Sequence, residues 1–402
     1  MHSQGRGKIF AFIIFSLTLI VPLIVSYFHY PDTGLPPGFG VFPPQYVKDL
    51  PDFHLVYLIL MLIPILWVSC LIIKPKCVGF SSVAATFDKH KQRVLKPLPW
   101  WFYCGGIVML FFWGVMWTRS LEVLPLAYYA FTPLWWGFIL VLDGFVYKLN
   151  NGKSPIATKP ILFLMIGVIS SAGWAYFEFF NYFVLSNWYY PNIESINLSQ
   201  TQITLLFLLS YTTVTPAIIE WYLLLSSFDS FKQRYCHGPR WPLRDDALIL
   251  CGLMLLALMV CFPLEMYWVV WVGPLAVVTG ILEKYRVWHP FQGVLQRGDW
   301  SDVVLIGLAS IINGFFWEMW NYGSAHPYPE IITNPHYWLY EVPYVNLSFI
   351  ELPTEMPLLG YFGYLPFGVL VWQLLLLIGY LINVPFDIKA LGRESCSHSY
   401  RL

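Results

Sequence analysis

The sequence predicts an all-α, polytopic membrane protein of about ten transmembrane helices, and three observations carry that reading. The 402 residues are 57% hydrophobic and only 11% charged, with a mean hydropathy of +0.59; a soluble domain carries roughly a quarter of charged residues. Ten segments are apolar over the about 17 to 25 residues that a helix needs to cross a bilayer. If the N-terminus is cytoplasmic, all of the 23 Lys and Arg except Lys48 and Arg119 fall on the cytoplasmic side. The positive-inside rule produces that asymmetry only if the count of crossings is right.

The ten spans are 9–27, 55–73, 101–117, 124–146, 161–184, 203–226, 247–262, 264–282, 303–322 and 357–382. The first begins on Arg6 and Lys8, and the VSYFHYPD after it lacks a small-residue cleavage pattern, so it reads as a retained anchor. The third and seventh are short. With ten crossings both termini are cytoplasmic, in the plasma membrane or a bacterial inner membrane. Three long segments, 28–54, 185–202 and 323–356, then face outward, rich in the Pro, Trp and Tyr of an interfacial belt.

Composition also excludes. A formal net charge of +0 offers no clustered basic face for nucleic acid. Seven Cys form no CxxC pair, and none of the nine His falls within a span, so zinc, buried haem and repeated His boxes have no support. His326, Glu330 and His336 are too irregularly spaced for a metal site, and no cofactor or metal is expected.

The chain resembles itself at a separation of 140 positions. Glu178-Phe-Phe-Asn181-Tyr182 matches Glu318-Met-Trp-Asn321-Tyr322, with Leu124-Pro125-Leu126 against Phe262-Pro263-Leu264 and Trp188-Tyr-Tyr190 against Trp338-Leu-Tyr340. Thr215-Pro216 and Trp221 align with Leu365-Pro366 and Trp372, which sets Leu370 opposite Glu220. The expected organisation is a two-helix segment with a basic loop (1–100), a four-helix repeat (101–240) and a second four-helix repeat with a tail (241–402). Four is even, so the copies enter from the same side as parallel repeats.

Carboxylates beside hydrocarbon are costly unless paired or neutral, which makes each a candidate site. Glu318, Glu355, Glu351 and Glu178 are the candidate acids and bases, since neighbouring carboxylates and burial both favour a retained proton. Asn321 and Asn181 share a helix face with Glu318 and Glu178. With Trp317, Trp320, Trp338, Tyr340, Trp188 and Tyr190 they are the candidate substrate-binding residues, the aromatic faces suiting a developing cation. Asp143 and Glu220, nearer the cytoplasmic side, read as paired within the bundle.

The order Trp317-Glu318-x-x-Asn321-Tyr322, then Trp338-x-Tyr340, then Pro353-x-Glu355 resembles the small membrane lycopene cyclases, with a fainter echo in Glu178, Asn181, Trp188 and Tyr190. The resemblance implies an enzyme that protonates a polyene end, guides the carbocation and removes a proton without net redox change. The family's Pro-x-Glu-Glu reads Pro353-Thr-Glu355-Met356 here, and two helices precede the repeats, which implies another isoprenoid or lipid substrate. The expected function is thus an integral membrane enzyme acting on an apolar isoprenoid or lipid at the outer face. The alternatives are a non-catalytic carrier or complex subunit docking a protein partner through its aromatic outer loops, and an ion-coupled transporter.

Overall fold

Proline and capping chemistry set most of the helix starts. Pro160 occupies the first position of its helix, where a missing N–H costs nothing, and Ser199 and Gln202 form a reciprocal capping box. A computed structural model describes residues 2–37, 39, 51, 53–81, 95–119, 122–191, 193, 196–327, 330–344 and 354–386. Its long helices are α1 (His2–His29), α2 (Leu55–Ile73), α3 (Trp100–Thr118), α4 (Phe131–Leu149), α5 (Pro160–Phe180), α6 (Gln200–Tyr211), α7 (Val214–Ser226), α8 (Asp245–Cys261), α9 (Val269–Lys284), α10 (Ser301–Gly323) and α11 (Tyr364–Ile382).

Several boundaries differ from expectation. The helix expected over 124–146 divides into a single turn, Leu124–Ala127, and α4, which enters with Pro133 in its first turn. The span 203–226 breaks between α6 and α7, where Thr212 and Thr213 turn their hydroxyls back onto the carbonyls of Leu209 and Ser210. The span 357–382 opens as the 3₁₀ segment Leu358–Gly363 before α11 begins.

Seven stretches are helices long and apolar enough to cross a membrane: Gly5–His29, Leu55–Ile73, Trp100–Thr118, Pro160–Leu185, Gln200–Ser226, Ser301–Gly323 and Leu358–Ile382. α8 and α9, at 17 and 16 residues, and α4 do not meet that criterion, so against the expected count of ten there are seven such stretches among the described residues.

Close backbone approach builds two matching hairpins. α3 packs on α4, where a methyl added at Gly137 would stand 2.7 Å from Met109 N and 2.8 Å from Gly105 O. α8 packs on α9, where a methyl at Gly252 would stand 2.5 Å from Gly273 O. In each hairpin the glycine of one helix lets the next helix's backbone come within touching distance, the small-residue packing used where lipid supplies no hydrophobic drive. Lys284 closes the second hairpin on Asp246 at 2.6 Å.

One apolar core runs from Ala11 through α4 to α7 and on to α9, α10 and α11, so it crosses all three expected segments. α2 stands off this core. At one end Trp67 stacks on Trp241; at the other Tyr57 hydrogen-bonds the Glu265 carbonyl and packs on Tyr344. The strands among the described residues are two antiparallel pairs of residues, β1 (Trp188–Tyr189) and β2 (Leu339–Tyr340), with Trp188 opposite Tyr340.

Candidate functional site

The π-helical turn Asn181–Leu185 ends α5 and returns the chain to β1; α10 ends at Gly323 and reaches β2 through 324–338. The two asparagines fix those returns. Asn181 Oδ1 accepts from the Asn187 and Trp188 amides at 2.7 and 3.2 Å, and its Nδ2 donates to the Trp188 carbonyl at 2.8 Å. Asn321 does the same to Trp338, accepting at 3.2 Å and donating at 2.8 Å. These amides hold backbone, so the expected contact of Asn181 and Asn321 with substrate gives way to a clamp on each strand.

Behind each strand lies a buried glutamate. Glu178 Oε1 accepts from Trp174 Nε1 at 3.0 Å, Tyr211 Oη at 3.1 Å and Tyr190 Oη, while Trp188 Nε1 reaches both of its oxygens at 3.3 Å. Glu318 Oε1 accepts from Tyr340 Oη at 2.8 Å and Tyr364 Oη at 2.6 Å. Its Oε2 meets no donor among the described residues. The Trp338 indole N–H lies beside this carboxyl and donates to Tyr340 Oη at 2.9 Å. The asymmetry has a cause in the sequence. Trp174 stands four residues before Glu178, whereas four before Glu318 is Gly314, and the Tyr364 ring fills the place, 2.6 Å from where a Cβ would sit.

Burial, with the neighbouring carboxyl, holds the Tyr190 and Tyr340 hydroxyls well above their ordinary range. Both therefore remain donors at any physiological pH. They line one end of a cavity of about 910 Å³, together with Tyr211, Tyr364, Trp174, Trp188, Trp271, Trp317 and Trp338. The cavity continues between α2 and α10, from Trp317 to Val303, roughly 21 Å along a helix rising 1.5 Å per residue. Its far end is walled by Trp67, Trp241 and Trp300. The volume is near the upper end of small-molecule sites, about 300–1,000 Å³, and the walls are almost wholly apolar.

The candidate residues thus divide. Trp317, Trp338, Tyr340, Trp188 and Tyr190 meet in one chamber. Glu178 and Glu318 stand one layer behind it, reached through tyrosine hydroxyls. Trp320 turns away onto Trp135 and Trp113, toward α4 and α3. Glu355 is held by His326 Nε2 at 2.9 Å and by the Tyr337 hydroxyl, outside the cavity wall. Glu351, with Pro353, lies outside the described residues. Among those described, no three His, Cys, Asp or Glu gather as metal ligands.

Trp174, Tyr211, Trp271 and Tyr364 belong to the chamber and were not singled out from sequence. Trp174 carried a signal, its four-residue spacing from Glu178 on one helix face. Tyr211 and Tyr364 carried none among 26 tyrosines.

Fold and site together define a multi-pass helical membrane protein with a largely apolar, aromatic-walled cavity. Compared with protein-family models, with curated proteins and with solved structures, the chain matches none.

Proposed function

We propose that the chain crosses the membrane ten times as two parallel four-helix copies preceded by α1 and α2, with both termini cytoplasmic and the strands at the outer rim. Two sets of equivalent contacts support the repeat: the glycine hairpins α3–α4 and α8–α9, and the Glu-Asn-Trp-Tyr arrangement around each strand. Gly167 lies under the Thr212 carbonyl as Gly307 lies under Leu365, which adds the register of the last helices.

Within that frame the protein is an enzyme acting on an apolar isoprenoid or lipid, with chemistry of the carotenoid-cyclase kind and no cofactor. The observation that carries it is the chamber: aromatic walls at one end of a long hydrocarbon slot, with hydroxyls anchored on two buried carboxyls. A chain entering from the bilayer beside α2 places its end among Trp174, Trp188, Trp271, Trp317 and Trp338, whose faces stabilise positive charge. Glu318, with an oxygen that meets no donor among the described residues, is the proton donor, and Tyr340 and Tyr364 orient it. Glu178, saturated by four donors, is scaffolding.

A second reading, a lipid carrier without chemistry, draws on the position of both glutamates behind the tyrosine layer. One experiment separates the two. Lipids extracted from protein purified in mild detergent are identified by mass spectrometry, and the bound species is incubated with wild type and Glu318→Gln. The enzyme reading expects conversion by wild type and unconverted bound lipid in the variant. Equal binding with no conversion by either protein establishes the carrier.

A further inference from the structure

Toward the end of the bundle opposite the strands, two carboxyls face each other between helices. Asp143 on α4 and Glu220 on α7 are fully buried and within hydrogen-bonding reach of one another. Asp143 accepts from Trp101 Nε1 at 2.9 Å, Ser154 Oγ at 2.8 Å and the Ile156 amide at 2.9 Å. Three donors on one carboxyl suit an anion. Glu220 is the reverse: neither oxygen meets a donor among the described residues. A bare carboxylate there, against a second carboxylate, would be severely penalised by desolvation and repulsion. A carboxylic acid donating its O–H to Asp143 satisfies both groups.

The second half repeats this contact without acids. Thr279 precedes Gly280 as Asp143 precedes Gly144, and Gln373 follows Tyr364 at the spacing by which Glu220 follows Tyr211. Thr279 Oγ1 donates to Gln373 Oε1 at 3.0 Å. Gln373, and not Leu370, is therefore the counterpart of Glu220. The same helix contact closes with neutral groups, so packing alone does not call for an ionisable pair.

We propose that Asp143 and Glu220 form a proton-binding site holding a single exchangeable proton, reached from the 150–159 loop through Ser154. Ser154 also caps the turn Pro155–Thr158, accepting from the Ala157 amide at 3.2 Å, so the loop and the proton share one hydroxyl. The groups that act on the two acids are Trp101 from α3 and Ser154 and the Ile156 amide from the loop; the nearest charged residues along the sequence are Lys148, Lys153 and Lys159, and Asp302 of α10 is engaged by Tyr222 of α7 at 2.7 Å. Among the described residues no Lys, Arg or His forms an ion pair with either acid.

The test is infrared absorption of protonated carboxyl groups in the full-length protein at neutral pH, compared among wild type, Glu220→Gln, Asp143→Asn and the double variant Asp143→Thr/Glu220→Gln. Glu220→Gln is expected to lose one carboxylic-acid band, and Asp143→Asn to keep it at a shifted frequency. The double variant, copying Thr279 and Gln373, is expected to fold and to lack the band, and it substitutes for Glu220→Gln should that variant not fold. Unchanged carboxylic-acid absorption on loss of Glu220 overturns the proposal, as does a band that sodium ions abolish with proton release, which marks a cation site. Failure of the double variant to accumulate folded also overturns it, because the equivalence with the neutral pair would then be false.

Discussion

Replacing Asn321 by Ala tests whether this residue holds the strand or a ligand. The substitution removes one acceptor and one donor from the buried Trp338 backbone, at 3.2 and 2.8 Å. An unpaired buried polar group costs about 1–3 kcal/mol, so with two such groups the variant loses roughly 2–6 kcal/mol. Asn181→Ala strips two amides and a carbonyl and is expected to cost at least as much. The two losses are coupled, because the clamped strands pair with each other, Trp188 against Tyr340. Once one clamp is gone the pairing is already weakened, and the double variant should fall short of the sum by about 0.5–3 kcal/mol. Unfolding of the detergent-purified protein, followed by intrinsic tryptophan fluorescence over the four members of the cycle, measures both quantities. An Asn321→Ala protein that unfolds like wild type but loses a lipid that co-purifies with wild type refutes the clamp and returns Asn321 to the proposed binding site.

Other substitutions and conditions give sharp outcomes. Gly137→Ala places a methyl against the α3 backbone, which cannot yield as a side chain can, and should destabilise by about 1–3 kcal/mol in the same unfolding assay. Glu178→Gln turns an NH₂ group toward the Trp188 indole N–H, donor against donor, and should cost about 1–3 kcal/mol, whereas Glu318→Gln keeps its acceptor for both tyrosines and should melt near wild type. Burial lowers His336 to about 3, from an ordinary value near 6.5. Between those values the unfolded chain takes up a proton that the folded one refuses, so stability should fall as the pH falls through this window, by up to roughly 1.4 kcal/mol per unit. His336→Gln should flatten that dependence in melting curves recorded between pH 7 and 4.

What the sequence made legible was whatever repeats in type and spacing. The Glu-x-x-Asn-Tyr pair located both clamps and both carboxyls because each lies within one helical turn. Trp188 and Tyr340 were legible as belt aromatics, but their pairing across the halves was not, since strands of two residues leave no alternation to read. The Pro216 and Pro366 match misled the register. Proline fits the first turn of any helix and so reports where a helix starts, not which face it buries. Contacts set Tyr211 against Tyr364 and Glu220 against Gln373. Nor could the role of Gly314 be read, because a missing side chain shows its meaning only when a ring from another helix fills the space.

The joined strands leave the cavity with unequal walls. The Glu341 amide donates to the Asn187 carbonyl beside the facing pair Trp188 and Tyr340, so main chain from the two halves of the sequence is joined at one end of the cavity. α2 lines the same cavity from off the main core, tied near one end at Tyr57 and toward the other at Trp67, so the wall it forms has far less packed against it than the wall behind the strands.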